Sequence, residues 1–256
     1  MNVSPLSTPD HLSQKVALVT GGGRGIGKAI SLKLAELGFA VTLTYRSNEE
    51  AAEMTVAEIV KKGGTAIARQ ADVADHASLK TLFFLLNRDF GRLDTLVNNA
   101  GVSEYLSLEK ADTEHFDRIF KTNVRGSLLC ARAALPLLEG AQGGTVINIS
   151  SSLTLSPTSE ASVYAMSKAA VECMTRFLAV ELGSRNIRVN CVAPGLTETE
   201  MLHSVLSKEA QAALIERTPL GRIGTVEEIA DVVAFLASEG AKWITGQVIV
   251  ANGGLR

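Results

Sequence analysis

The stretch VALVTGGGRGIGKA, residues 16–29, decides the fold. Its first five residues are apolar or β-branched, as in a strand covered on both faces, and the residues after the glycines take up helical spacing. Between them Gly21, Gly25 and Gly27 form a loop with no side chains in the way. Backbone N–H groups and the start of the next helix can therefore face a pyrophosphate. Gly22 to Lys28 also fits GxxxxGK, the phosphate loop of nucleoside triphosphatases, but that loop needs Ser or Thr next to hold Mg²⁺ and the chain has Ala29. Strand, glycine loop and helix in succession predict a dinucleotide site.

The same alternation of short apolar runs and helical patterns continues to the C-terminus. Strand candidates are 16–20, 40–45, 65–70, 95–99, 145–150, 188–193 and 247–251, with helical patterns near 26–37, 49–62, 76–90, 113–138, 162–183, 200–216 and 226–238. This predicts an α/β protein: one doubly wound Rossmann domain over 15–256, a seven-stranded parallel sheet with helices on both faces. A flexible arm, 1–14, precedes it. The amphipathic segment 196–218, between the last two strands, is placed to fold over a site as a lid.

Of 256 residues 46% are hydrophobic, ample for a large core, and 25 basic against 27 acidic residues give a net charge of −2. No run of like charge marks a nucleic-acid or membrane surface, which leaves small neutral or anionic ligands as partners. Cys130, Cys173 and Cys191 lie in apolar sequence and read as buried, inert thiols of a reducing compartment. The N-terminus lacks the apolar core of a signal peptide and no 18 apolar residues run together, which predicts a soluble cytoplasmic protein. Four dispersed histidines and no CxxC pair predict no metal site.

The residues after the second strand choose the dinucleotide. An acid there would accept a ribose 2′-hydroxyl, whereas an arginine suits a 2′-phosphate. The sequence has TYRSN: Arg46 and Ser47, with Arg24 in the glycine loop, favour NADP(H). Further along, VYAMSK, residues 163–168, sets Tyr164 and Lys168 one helical turn apart, so the ammonium can act on the phenol.

Taken together the motifs resemble the short-chain dehydrogenase/reductase family over roughly residues 14 to 254. TGGGRGIG, residues 20–27 and including Ile26, is similar to its TGxxxGxG, and Asp72-Val73 to its adenine-contacting pair. Asn98-Asn99-Ala100-Gly101 matches NNAG, which stabilises the sheet and passes beside the cofactor, and Asn123 falls at the active-site asparagine. Tyr164 and Lys168 match YxxxK, while Pro194-Gly195 and Thr197 match the turn that meets the nicotinamide carboxamide. The family's catalytic serine lies thirteen positions before its tyrosine, which selects Ser151 from Ser150, Ser151 and Ser152.

What the resemblance implies is an oxidoreductase. Carbonyl reduction needs a hydride on carbon, from NADPH, and a proton on oxygen, from the protein. A free phenol has a pKa of about 10, and lowering it by roughly 3 units requires about 4 kcal/mol of preferential stabilisation of the phenolate. Lys168 and the oxidised nicotinamide are the expected sources, making Tyr164 the general acid. Ser151 is expected to donate to the substrate oxygen, and the backbone of Asn123 to hold a water beside Lys168. Lys168 is also expected to contact the nicotinamide ribose.

Among family members the sequence is most similar to the β-ketoacyl-acyl-carrier-protein reductases, by GGGRGIGKAI, YAMSKAAVECMTRFLAVEL, IRVNCVAPG and GQVIVANGG. These motifs are shared with sugar, alcohol and steroid dehydrogenases, so a ketoacyl thioester stands beside other small carbonyl substrates. A carrier protein would want basic residues before the fifth strand, where the chain reads LPLLEGAQGG; Arg185 remains on the other flank. A non-catalytic dinucleotide-binding protein is the alternative of another class, opposed by Asn123, Ser151, Tyr164 and Lys168 all being present. The resemblance also implies a homotetramer built on the helices 113–138 and 162–183 and the last strand.

Overall fold

The computed structural model describes residues 14–200, 202 and 206–255. The predicted arm, 1–14, lies outside the described residues except for Gln14, as does part of the predicted 200–216 helix. Seven parallel strands, β1 (Val16–Val19), β2 (Ala40–Tyr45), β3 (Thr65–Gln70), β4 (Thr95–Asn98), β5 (Gly144–Ile149), β6 (Ile187–Pro194) and β7 (Val248–Ala251), form one sheet. Its order is β3-β2-β1-β4-β5-β6-β7, with Leu18 beside Thr42 on one side and Leu96 on the other. The order reverses between β1 and β4, and such a switch point opens a crevice at the carboxyl ends of the strands.

Alternation along β1 shows why the sheet is covered twice. Val16 and Leu18 point into one core with Leu79, Leu82, Leu86, Cys130 and Leu138, while Ala17 and Val19 point into the other with Ile30, Leu34, Ile229 and Val233. The first core is roofed by α3 (His76–Phe90) and α5 (Ser127–Gly140), the second by α1 (Gly25–Glu36) and α8 (Val226–Ala237). The other α-helices among the described residues are α2 (Glu49–Lys61), α4 (Thr113–Phe120), α6 (Ser162–Leu182) and α7 (Lys208–Glu216). Asn48, Asp75, Asp112, Ser207 and Thr225 cap α2, α3, α4, α7 and α8 by accepting from first-turn N–H groups.

Three expectations change. The span read as one helix, 113–138, is α4 and α5 joined by a π-helical turn, Lys121–Gly126. The Ser127 hydroxyl donates to the Asn123 carbonyl there at 2.8 Å, taking up an oxygen in the widened turn. The described helix after β6 is α7, Lys208–Glu216, shorter than the 200–216 pattern. Cys130 and Cys191 are buried, with burial pushing both thiols up to about 12, but Cys173 is exposed. The sheet side of α6 is taken by Lys168, Val171, Glu172 and Thr175, which turns Cys173 outward with Met166, Phe177 and Val180.

A polar seam crosses the buried centre. Asn98 of β4 donates to Asn148 Oδ1 of β5 at 2.9 Å and to the Ser127 carbonyl at 3.2 Å, and Asn148 donates to Thr175 of α6 at 2.9 Å. Removing one member strands the others without water. Asn98→Ala is expected to cost about 1–3 kcal/mol, lowering the melting temperature by several degrees as read by calorimetry. An unchanged melting temperature would show that the seam does not stabilise the sheet.

Candidate active site

The crevice at the strand ends is a cleft of about 1180 Å³. At one end is the glycine loop. Arg24 precedes α1 in extended conformation and places no side chain on the helix N-terminus, and no acid occupies the first turn, so the positive end of α1 faces the cleft uncovered. The loop is clamped to β4: the Asn99 amide donates to the Thr20 and Gly21 carbonyls at 2.9 and 3.0 Å. The Thr20 hydroxyl in turn accepts from the Asn99 and Ala100 N–H groups at 3.0 Å. Gly21 has φ +64°, and a β-carbon on Gly27 would run into the Gly21 carbonyl and the Asn99 amide. This bare cradle fits a dinucleotide pyrophosphate.

Arg46 and Ser47 lie exposed at the end of β2, on the cleft. Arg24 meets Glu200 at 3.4 Å, a solvent-exposed pair that holds the guanidinium only weakly. Asp72 and Val73 line the same end, where Asp72 fixes its own turn by accepting from Ala74 N–H at 2.8 Å. Pro194, Gly195 and Thr197 line the opposite wall, and Thr199 packs over Gly25, so the first residues after β6 reach across the glycine loop.

The chemical groups gather beyond Gly101. Ser151, Tyr164 and Lys168 all line the cleft. Lys168 Nζ is 5.7 Å from the centre of the Tyr164 ring and donates to the Ile149 carbonyl at 2.8 Å. Asn123 is buried behind this wall rather than on it. Its amide accepts from Val102 N–H at 2.9 Å and donates to the Val102 carbonyl and Ser167 hydroxyl, each at 3.0 Å, tying the strand-end loop to α6. The π turn swings Asn123 inward for that purpose.

The chain's own groups act on Tyr164 in the opposite sense to the lowering expected with Lys168 and the oxidised nicotinamide together. Burial pushes the Tyr164 phenol above its ordinary range, the nearby Tyr105 adds to the rise, and a hydrogen bond with Ser151 opposes it. Burial likewise holds the Lys168 ammonium down to about 8. The phenol is therefore not acidified by the chain alone, because both groups lose solvent and the ammonium bonds a carbonyl rather than the phenol.

Two features escaped sequence reasoning. Tyr105 stacks obliquely on Tyr164, with ring centres 5.9 Å apart, from a loop without periodicity. Glu172, one turn beyond Lys168, accepts from Ser150 at 2.8 Å and Thr154 at 2.9 Å and so brackets Ser151. Its i+4 spacing from Lys168 was the available signal.

A family model described as enoyl-(acyl carrier protein) reductase matches residues 21–256. An uncharacterised oxidoreductase of Methylorubrum extorquens is 47% identical over 96% of this chain and 99% of its own. A short-chain type dehydrogenase/reductase of Picea abies is 44% identical, covering 95% and 93%. A 3-oxoacyl-(acyl-carrier-protein) reductase of Staphylococcus aureus is 41% identical, covering 94% and 98%. Among solved structures, a 7α-hydroxysteroid dehydrogenase complexed with NADH and 7-oxo glycochenodeoxycholic acid superposes with TM-score 0.91 at 34% identity, covering 95% and 94%. The motifs, the parallel sheet with its cleft and these relatives agree: the chain is an oxidoreductase fold of, and belongs to, the short-chain dehydrogenase/reductase family.

Proposed function

We propose that the protein is an NADPH-dependent carbonyl reductase in which Tyr164 protonates the oxygen of a ketone. The observation that carries this reading is one cleft with an uncovered helix N-terminus and Arg24 and Arg46 at one end and Ser151, Tyr164 and Lys168 at the other. Gly21, Gly25, Ile26 and Gly27 would hold the pyrophosphate, Arg24, Arg46 and Ser47 the 2′-phosphate, and Asp72 and Val73 the adenine. Asn99, Ala100, Gly101, Pro194, Gly195 and Thr197 would line the nicotinamide half, with Lys168 and Tyr164 at its ribose. The dinucleotide supplies the hydride and, once oxidised, a positive charge.

The chain supplies the rest. Ser151 donates to the substrate oxygen as charge grows on it, and Tyr164 delivers the proton. A phenol kept protonated by burial is in the correct state for an acid. Lys168 offers the only buried cation among the described residues of the cleft to compensate the phenolate left behind.

For substrate, a 3-oxoacyl thioester is the first choice, supported by the likeness to the S. aureus reductase. A carrier-borne form gains no support from Arg185. That residue pairs with Glu139 at 2.6 Å and stands before β6, at the amino-terminal end of the strands and opposite this chain's own cleft. This favours a free small ketone as the second reading. The exposed Met166, Phe177 and Val180 on α6 support self-association, in keeping with a homotetramer. NADPH oxidation screened over acetoacetyl thioesters, small diketones, quinones and sugars tests the proposal, and no turnover of any carbonyl defeats it.

NADPH is expected to bind at least tenfold tighter than NADH, a difference of about 1.4 kcal/mol that one charge-assisted phosphate contact can supply. Fluorescence titration reads it, Arg46→Asp should reverse the order, and equal affinities would remove the assignment. Tyr164→Phe should lower turnover by 100-fold or more while cofactor affinity and melting temperature stay nearly constant. Retention of a tenth of the activity would place the acid elsewhere. Because Lys168 loses its proton as pH rises through about 8, kcat/KM for NADPH should be level below that pH and fall above it. A profile level to pH 10 would show that the ammonium is not required.

A further inference from the structure

Resting on the carbonyl-reductase reading, we infer that Ser156 is a second polar anchor for the substrate and that the substrate is an uncharged ketone bearing a further oxygen, of the α- or β-oxygenated class. Ser156 is only 7% exposed, and its buried hydroxyl has no hydrogen-bond partner among the described residues. It lines the same cleft as Ser151 and Tyr164, five residues beyond Ser151. The described residues leave this hydroxyl unpaired beside the cleft, a net cost to folding that a ligand oxygen entering from the cleft can remove.

The neighbouring hydroxyls are in a different condition. Ser150 donates to Glu172, Thr154 donates to Glu172 and to the Ser151 carbonyl, and Ser151 accepts from Leu153 N–H. Those bonds fix the turn, and Ser156 N–H is itself held by the Ser152 carbonyl at 3.0 Å. Ser156 is thus a positioned donor rather than one side chain of a loose loop.

The surroundings decide what it can bind. Among the described residues on the cleft, Arg24, Lys28 and Arg46 belong to the glycine loop, α1 and the end of β2, and Lys168 is bonded to the Ile149 carbonyl. The described residues of the cleft thus offer no further cation for a carboxylate or phosphate. Glu104 lines the cleft as well, but its carboxylate is taken up by Arg118 at 2.9 Å, so that pair adds no free charge of either sign. Leu153, Leu196, Leu202 and Leu206 supply apolar wall. An uncharged carbonyl or hydroxyl oxygen on a partly apolar ligand satisfies all of these.

The test uses the full chain with NADPH and two ketone pairs: 2,3-pentanedione with 2-pentanone, and acetoacetyl N-acetylcysteamine thioester with 2-heptanone. Ser156→Ala should lower kcat/KM for the oxygenated member of each pair about tenfold, mainly through KM, and leave the plain ketone within twofold. Its melting temperature should equal or exceed that of the parent, because an unpartnered hydroxyl has been removed. Ser156→Thr should restore discrimination. A ratio between paired substrates that does not move on Ser156→Ala, or a melting temperature that falls by several degrees, overturns the inference while leaving the reductase reading in place. No NADPH oxidation with any of the four overturns this inference, and if the quinones and sugars of the wider screen fail as well the reductase reading falls with it.

Discussion

The Asn99 carboxamide holds the cleft open in the right place. Donating to both Thr20 and Gly21, it joins the turn after β1 to the end of β4 across the switch point where the sheet divides. It also sits where a Gly27 side chain would have to go, so the glycine and the asparagine are one device: the first makes room and the second fills it. Together with the β1–β4 pairing and the Thr20 hydroxyl, this clamp sets the start of α1 relative to β4 and β5, and hence to Ser151 and Lys168. A cofactor spanning such a cleft needs both halves in register, because misplacement by about 1 Å can cost two orders of magnitude in rate.

The second constraint is the burial of charge. Lys168 is almost wholly enclosed, with the Ile149 carbonyl accepting from its ammonium, and the chain bears the desolvation. Stabilising groups are layered behind it: Asn123 through Ser167, and Glu172 through Ser150, all on or against α6. On the proposed reading the cost falls at a site where a phenol parts with a proton and takes it back.

Much of this was legible in the sequence, for identifiable reasons. The strands were readable to within a residue or so because each is a short apolar run bounded by a turn or a helix start, and the site residues other than Asn123 do line one cleft. What was hidden depends on distance in sequence or on solvent. Nothing in KTNVRG separates an i+4 from an i+5 turn, so the π segment reads as ordinary helix. Arg185 looks like a free docking cation until Glu139, 46 residues earlier, is seen to hold it. A helix apolar on two faces does not disclose which one meets the sheet, and so Cys173 was misplaced. The rise of the Tyr164 pKa comes from enclosure by other segments, which spacing along one helix does not report.

The mounting of α6 has a mechanical corollary. Tyr164, Lys168, Glu172 and the serine that grips Asn123 all ride on this single rod, whereas the glycine loop rides on β1 and α1. On the proposed reading, the proton donor is thus carried by α6 and the grip on the dinucleotide by β1 and α1, two sets of elements tied together through the one sheet. A shift of α6 along its axis would move Tyr164, Lys168 and Glu172 together relative to the glycine loop, so on that reading the geometry between the two transfers is set by how α6 packs on β5 and β6.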